Sequence, residues 1–195
     1  MGKVVYIIPG FQEYTKQPEY KKIGSFFKAK GFKVVYTDIT WNYKVMSNYV
    51  KEFTTKYKFD QKNDNYFIGF SFGAVISFLA SAKLKPKAQI LCSLSGVFKE
   101  DFATCSPEFE KIAYKYCRKR RVNDLKKISF NKLYPNVKCK SIILMGDSEL
   151  KEMIKRGKDA HKKLKKSKLI IVPNNKHDIR KKEYMDAIKE VISKL

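Results

Sequence analysis

Imidazole is scarce in this chain: 195 residues hold two histidines, His161 and His177, so chemistry that needs a neutral nitrogen base near pH 7 has little choice of residue. Cys92, Cys105, Cys117 and Cys139 form no C-x-x-C pair. That spacing argues against a zinc knuckle or a redox dithiol, and free thiols in a reducing compartment are expected. No apolar run approaches the ~20 residues of a membrane-spanning helix. No Pro/Gly/Ser-rich stretch reads as a linker, so residues 1–195 are expected to form one soluble domain. The first residues, Met1 to Ile8, have too short an apolar stretch for a signal peptide, and a myristoylation signal would need Ser or Thr where Tyr6 stands. These absences predict a cytoplasmic protein.

Acidic residues are also few, 19 against 42 Lys and Arg, giving a formal net charge of +23. Such a balance invites a nucleic-acid reading. Its distribution argues the other way, because 37 of the cations are lysines spread from Lys3 to Lys194, as on a uniformly solvated surface. The compact exception is Arg118-Lys119-Arg120-Arg121, which holds three of the five arginines. Arginine forks pair well with phosphate and carboxylate, so this cluster is a candidate contact for an anionic group.

What the chain does have is alternation. Short apolar runs at 3–8, 33–38, 65–70, 88–94, 141–145 and 168–172 read as strands buried on both faces. Between them, apolar residues recur at helical spacing: Ile23, Phe26 and Phe27; Val45, Tyr49, Val50 and Phe53; Val75, Phe78, Leu79 and Ala82; Met153, Ala160 and Leu164; Tyr184, Ala187, Ile188, Val191 and Ile192. The fold class predicted is α/β, a doubly wound and mostly parallel six-stranded sheet. Residues 97–135 interrupt the alternation with aromatic and charged helical sequence, expected to form a small cap over the carboxyl ends of the strands.

One pentapeptide carries chemistry. Gly69-Phe70-Ser71-Phe72-Gly73 joins an apolar strand directly to an apolar helix, the context of a nucleophile elbow. A serine hydroxyl needs a base in hydrogen-bond reach and a third group to orient that base. His177 follows the last strand in a loop and is the candidate base, whereas His161 lies among lysines on a helix face and reads as a surface residue. The acid is expected after the fifth strand, where Met145-Gly146-Asp147-Ser148-Glu149 offers Asp147 and Glu149. The oxyanion is expected to take its backbone N–H donors from Phe72, after the serine, and Phe11, in the loop after the first strand.

These residues together resemble the α/β-hydrolase superfamily over essentially the whole chain, in the order Ser, acid, His. The chain is similar to small single-domain serine hydrolases of the retinoblastoma-binding-protein-9 type, without the superfamily's two N-terminal antiparallel strands. The resemblance implies a strand order 2-1-3-4-5-6. Its Gly-x-x-Asp acid loop, laid on Gly146, implies Glu149 as the acid with Asp147 as runner-up. Two positions depart from the pattern: Pro9-Gly10 stands where His-Gly is usual, and Lys176 where a Gly is.

The function predicted is a serine hydrolase that cleaves an ester or thioester through an acyl-enzyme, with no metal and no organic cofactor. Its partner would be a small acyl substrate, and rim lysines would suit an anionic head group. The rival is a non-catalytic protein of the same fold that binds nucleic acid or an acidic partner through its basic surface. Nucleic acid is the less expected partner.

Overall fold

Residues 2–195 are described by a computed structural model. Six strands pair in parallel: β1 (Lys3–Ile8), β2 (Lys33–Tyr36), β3 (Asp64–Phe70), β4 (Ala88–Cys92), β5 (Lys140–Gly146) and β6 (Ser167–Val172). Their order across the sheet is β2-β1-β3-β4-β5-β6, as expected. Parallel neighbours need crossovers, and helices supply them. These include α1 (Pro18–Lys28), α2 (Met46–Lys56), α3 (Phe72–Leu84) and α7 (Lys151–Lys163), while α8 (Lys182–Ser193) follows the last strand. Between β4 and β5 lie α4 (Lys99–Phe102), α5 (Pro107–Leu125), α6 (Phe130–Leu133) and a 3-10 turn, Tyr134–Asn136.

Both faces of the sheet are buried, which is why its strands read as unbroken apolar runs. Val4, Tyr6 and Ile8 of β1 point to one core, shared with Tyr49, Phe53 and Phe78 from α2 and α3. Val5 and Ile7 point to the other, with Tyr20 and Phe27 of α1 and Tyr184 and Ile188 of α8. Each such large side chain, once fully buried, contributes about 1.5–3 kcal/mol. The order reverses at β1, flanked by β2 and β3, so the carboxyl ends of β1 and β3 frame the crevice where open α/β sheets hold ligands.

The strand ends differ from expectation by a residue or two. β2 stops at Tyr36 rather than 38, because the Thr37 hydroxyl donates to the Ile7 carbonyl at 2.6 Å and Asp38 turns away to accept from Thr15. β4 stops at Cys92 rather than 94, because Ser93 takes a left-handed conformation, φ 50°. α5 is broken within its length at Arg118, whose φ of 63° and ψ of 155° lie outside helical geometry.

The segment between β4 and β5 is tied to the flanking helices α3 and α7 by aromatic and ionic contacts. Phe130 of α6 stacks on Phe78 of α3, with centroids 4.6 Å apart, and the Arg156 guanidinium of α7 lies 4.4 Å from the Phe130 ring centre. Arg156 also pairs with Asp101 of α4, both side chains almost fully buried. No helix among the described residues is long and apolar enough to cross a membrane.

Candidate active site

Ser71 is the single residue between β3 and α3, and its φ of 55° with ψ of −116° is a conformation that side-chain-bearing residues rarely adopt. The flanking glycines make so tight a turn possible. A Cβ at Gly69 would be driven into the Gly73 carbonyl, and one at Gly73 into the Ile8 and Pro9 carbonyls. The turn is held by the Ser71 N–H, which donates to the Cys92 carbonyl at 2.9 Å. Strain of this kind survives only where its surroundings over-determine it.

His177 reaches Ser71 from the loop after β6. Its Nε2 lies 3.0 Å from Ser71 Oγ, and its Nδ1 lies 3.0 Å from Glu149 Oε2. The ring packs against Phe70, with centroids 5.0 Å apart. Asn175 braces this loop: fully buried, it donates from Nδ2 to the Asp178 carbonyl at 2.9 Å and accepts the Ser148 N–H at 3.0 Å. A Cβ on Gly146 would enter the Asn175 carbonyl, so the loops after β5 and β6 touch backbone to backbone only because that residue is glycine.

Of the two candidate acids, Glu149 faces the histidine and Asp147 does not. The Glu149 side chain has no exposed surface, and its Oε1 accepts from Ser93 Oγ and from the Gly146 N–H, each at 2.7 Å. Cut off from water, both oxygens find their hydrogen-bond partners within the protein. Asp147 is exposed; hydrogen bonds from the Ser148 hydroxyl and from backbone N–H groups of the facing loop hold its carboxyl below the usual range. His161 is remote from this arrangement and pairs with Ser167 at the exposed start of β6.

Neither the Phe11 nor the Phe72 N–H has a hydrogen-bond partner among the described residues. The β1–α1 loop that carries Phe11 is shaped by its neighbours. The Gly10 N–H donates to the Tyr20 hydroxyl at 2.9 Å and to Glu13 Oε2 at 3.0 Å, and the Trp41 indole N–H caps the Glu13 carbonyl at 2.9 Å. The Phe11 and Phe72 rings pack together at 5.1 Å.

Ser71 and His177 open into a cavity of about 340 Å³ whose walls are largely apolar, among them Phe11, Phe72, Phe109, Met153 and Cys117. Burial pushes the Cys117 thiol up to about 11. It is therefore protonated, and a poor nucleophile, at neutral pH.

Several contributors escaped the sequence. Ser93, Ser95 and Tyr184 belong to no motif, and Arg121 stands out only as a member of the arginine cluster. Ser95 Oγ lies 3.2 Å from Ser71 Oγ. The Tyr184 hydroxyl lies 2.8 Å from Ser93 Oγ and 3.1 Å from the Leu144 carbonyl, and burial first, then the nearby Cys92 and Glu149, push its ionisation far above the ordinary range. Arg121 donates from Nη2 to the Trp41 carbonyl at 2.8 Å and from Nε to the Lys44 carbonyl and the Tyr49 hydroxyl, at 3.0 and 2.9 Å. Its guanidinium sits 5.0 Å from the Phe11 ring centre. The only advance signal was the arginine cluster itself.

No protein-family model matches the chain, and no curated protein is a significant match in sequence. Solved structures do match. The chain is similar to Est1E from Butyrivibrio proteoclasticus, with TM-score 0.78 and 17% identity over 99% of this chain and 88% of that one. It is similar also to mouse alpha/beta hydrolase domain-containing protein 10, with TM-score 0.79 and 12% identity over 98% and 88%. A monoacylglycerol lipase from Paleococcus ferrophilus gives TM-score 0.74 and 14% identity over 98% and 94%. At these identities the likeness is one of fold.

Proposed function

We propose, from the α/β-hydrolase fold of this chain and the hydrogen-bonded line Ser71–His177–Glu149, that it is a serine hydrolase cleaving an ester or thioester through an acyl-enzyme. The observation that carries the reading is the pair of 3.0 Å contacts on the two nitrogens of His177, at the mouth of an apolar cavity.

Glu149 accepts from Nδ1–H and so leaves Nε2 free to take the Ser71 proton as Oγ attacks the acyl carbon. The oxyanion of the tetrahedral adduct is met by the N–H groups of Phe11 and Phe72, the second at the positive end of α3. Collapse breaks the bond to the alcohol or thiol, which leaves with the proton from Nε2. Water then repeats the sequence on the acyl-serine and releases the acid. Residues 97–135 act as the cap, since Phe109 and Cys117 line the acyl cavity. The cavity's apolar walls favour an apolar acyl group, and two of the similar structures are an esterase and a lipase by name. Four free thiols suit a reducing cytoplasm.

The test is covalent. A fluorophosphonate probe should label the wild-type protein and leave Ser71→Ala unlabelled, and hydrolysis of p-nitrophenyl esters should fall by about 10⁴-fold or more in that variant. Equal labelling of both proteins would refute the assignment. Salt-sensitive polyanion binding without labelling would favour the rival reading as a binding protein. An acyl-chain series of these esters, with thioesters alongside, reads cavity depth and leaving group together.

A further inference from the structure

Arginine is rare in this chain, and its distribution is uneven. Arg156 and Arg180 are each paired with an aspartate, Asp101 and Asp178. The other three, Arg118, Arg120 and Arg121, have no carboxylate partner among the described residues, and all three line one pocket of about 370 Å³. Lys44 adds a fourth cation to its wall, though that ammonium is held by Glu52 at 2.8 Å, and no carboxylate lines the pocket. With lysine supplying nearly every other surface cation, three unpaired guanidinium groups around one concavity are a specific arrangement. The planar fork is the side chain suited to a phosphate or carboxylate.

The pocket adjoins the site described above. Gln12, on its wall, follows Phe11 directly, and Tyr116 lines both this pocket and the apolar cavity. Arg121 is the fixed member. Its Nε and one N–H on each terminal nitrogen go to oxygens of Lys44, Tyr49, Cys117 and Trp41, which leaves one N–H on each terminal nitrogen uncommitted. Arg118 and Arg120 are exposed, and Arg118 occupies the break in α5.

We propose that this pocket is a subsite for an anionic group, phosphate or carboxylate, carried by the same ester that is cleaved at Ser71. The inference rests on the reading of Ser71 as nucleophile. The apolar cavity holds the acyl chain, the carbonyl lies between Ser71 and Phe11, and the anion engages Arg118 and Arg120 with Arg121 beneath them.

Two substrate pairs test it, each differing in one anionic group. Monobutyrin and butyryl glycerol 3-phosphate differ by a phosphate on the alcohol side; p-nitrophenyl butyrate and mono-p-nitrophenyl succinate differ by a carboxylate on the acyl side. In Arg118→Ala/Arg120→Ala, the ratio of kcat/KM for the anionic over the neutral member should fall about 10- to 100-fold in one pair, the scale of lost charge-assisted hydrogen bonds. The pair that responds tells which side carries the anion. Arg118→Lys/Arg120→Lys should recover part of the ratio, and guards against misfolding of the alanine variant. Inorganic phosphate titrated calorimetrically into Ser71→Ala protein should bind saturably, and lose that binding when both arginines are also replaced.

Turnover of the neutral esters with an unchanged ratio in both pairs would overturn the subsite and leave the hydrolase reading standing. Turnover of none of the four esters by wild-type protein would overturn that reading, and this one with it. Phosphate binding that survives the arginine substitutions would overturn the subsite alone.

Discussion

Glu149 presents a carboxyl group with no exposed side-chain surface, and three hydrogen bonds are what hold it there: Ser93 Oγ and the Gly146 N–H on one oxygen, His177 Nδ1 on the other. Replacing it with Gln keeps the shape and removes the preference for a donor at Nδ1. The imidazole is then free to carry its proton on Nε2, where it can no longer accept from Ser71. Glu149→Gln should therefore lower kcat by about 10³- to 10⁴-fold, with little change in melting temperature. Asp147→Asn should leave kcat near the wild-type value, because that carboxylate bonds to Ser148 and to backbone N–H groups of the facing loop at the exposed edge, not to His177. Ester hydrolysis measured for the two variants tests the choice between residues two positions apart, which only the superfamily resemblance ranks. If Asp147→Asn were the damaging change, the assignment of the acid would be wrong.

Among the elements, the joint between α4 and α7 is the one with most at stake in a single contact. The Asp101 carboxylate takes both Nε–H and Nη2–H bonds of Arg156, its Oδ2 also accepts the Phe98 N–H, and the guanidinium packs against both the Phe98 and Phe130 rings. Burial pushes the Asp101 carboxyl up while Arg156 opposes the shift. A buried pair of this sort adds little net stability, yet losing one partner strands the other charge. Arg156→Met alone should cost about 3–5 kcal/mol in urea unfolding, whereas Arg156→Met with Asp101→Leu should come close to wild type. Equal losses in the two would show that packing, not charge, governs the joint. The contrast with the sheet explains what the sequence made legible. Strands buried on both faces are local apolar runs, and Ser71 stands between a strand and a helix that adjoin it in the chain, so both can be read from neighbouring residues. The approach of His177 to Ser71 follows from the same strand order. The preference for Glu149 over Asp147 rests on the superfamily resemblance rather than on local pattern, because it involves Gly146 lying against the Asn175 carbonyl, and the end of β4 depends on the left-handed turn at Ser93. Arg121 is caged by Lys44 and Trp41, which lie 77 and 80 positions away. Contacts made across such separations leave no local pattern.

At the scale of the whole molecule the governing quantity is charge. The formal net charge is +23, and among the described residues only eight of the 42 Lys and Arg side chains pair with a carboxylate. Most of these pairs are exposed and contribute little. The folded state therefore crowds like charges that the unfolded chain can separate, and this self-repulsion opposes folding. Screening relieves it: the distance over which charges act falls from about 30 Å at 0.01 M salt to about 10 Å at 0.1 M and 3 Å at 1 M. The melting temperature should accordingly rise with sodium chloride, by several degrees over the first decade of concentration, where screening lengths pass through the dimensions of the molecule. A second source of stabilisation would be an anion bound at the arginine pocket, since any ligand of the native state raises its stability by mass action. The two are separable. Screening depends on ionic strength whatever the salt, and it persists in Arg118→Ala/Arg120→Ala with a slope only slightly reduced by the two charges removed. Site binding saturates, is stronger for phosphate than for chloride at equal ionic strength, and disappears in that variant. A melting temperature indifferent to sodium chloride in wild-type protein would mean that the spread of lysines from one end of the chain to the other is not a destabilising load.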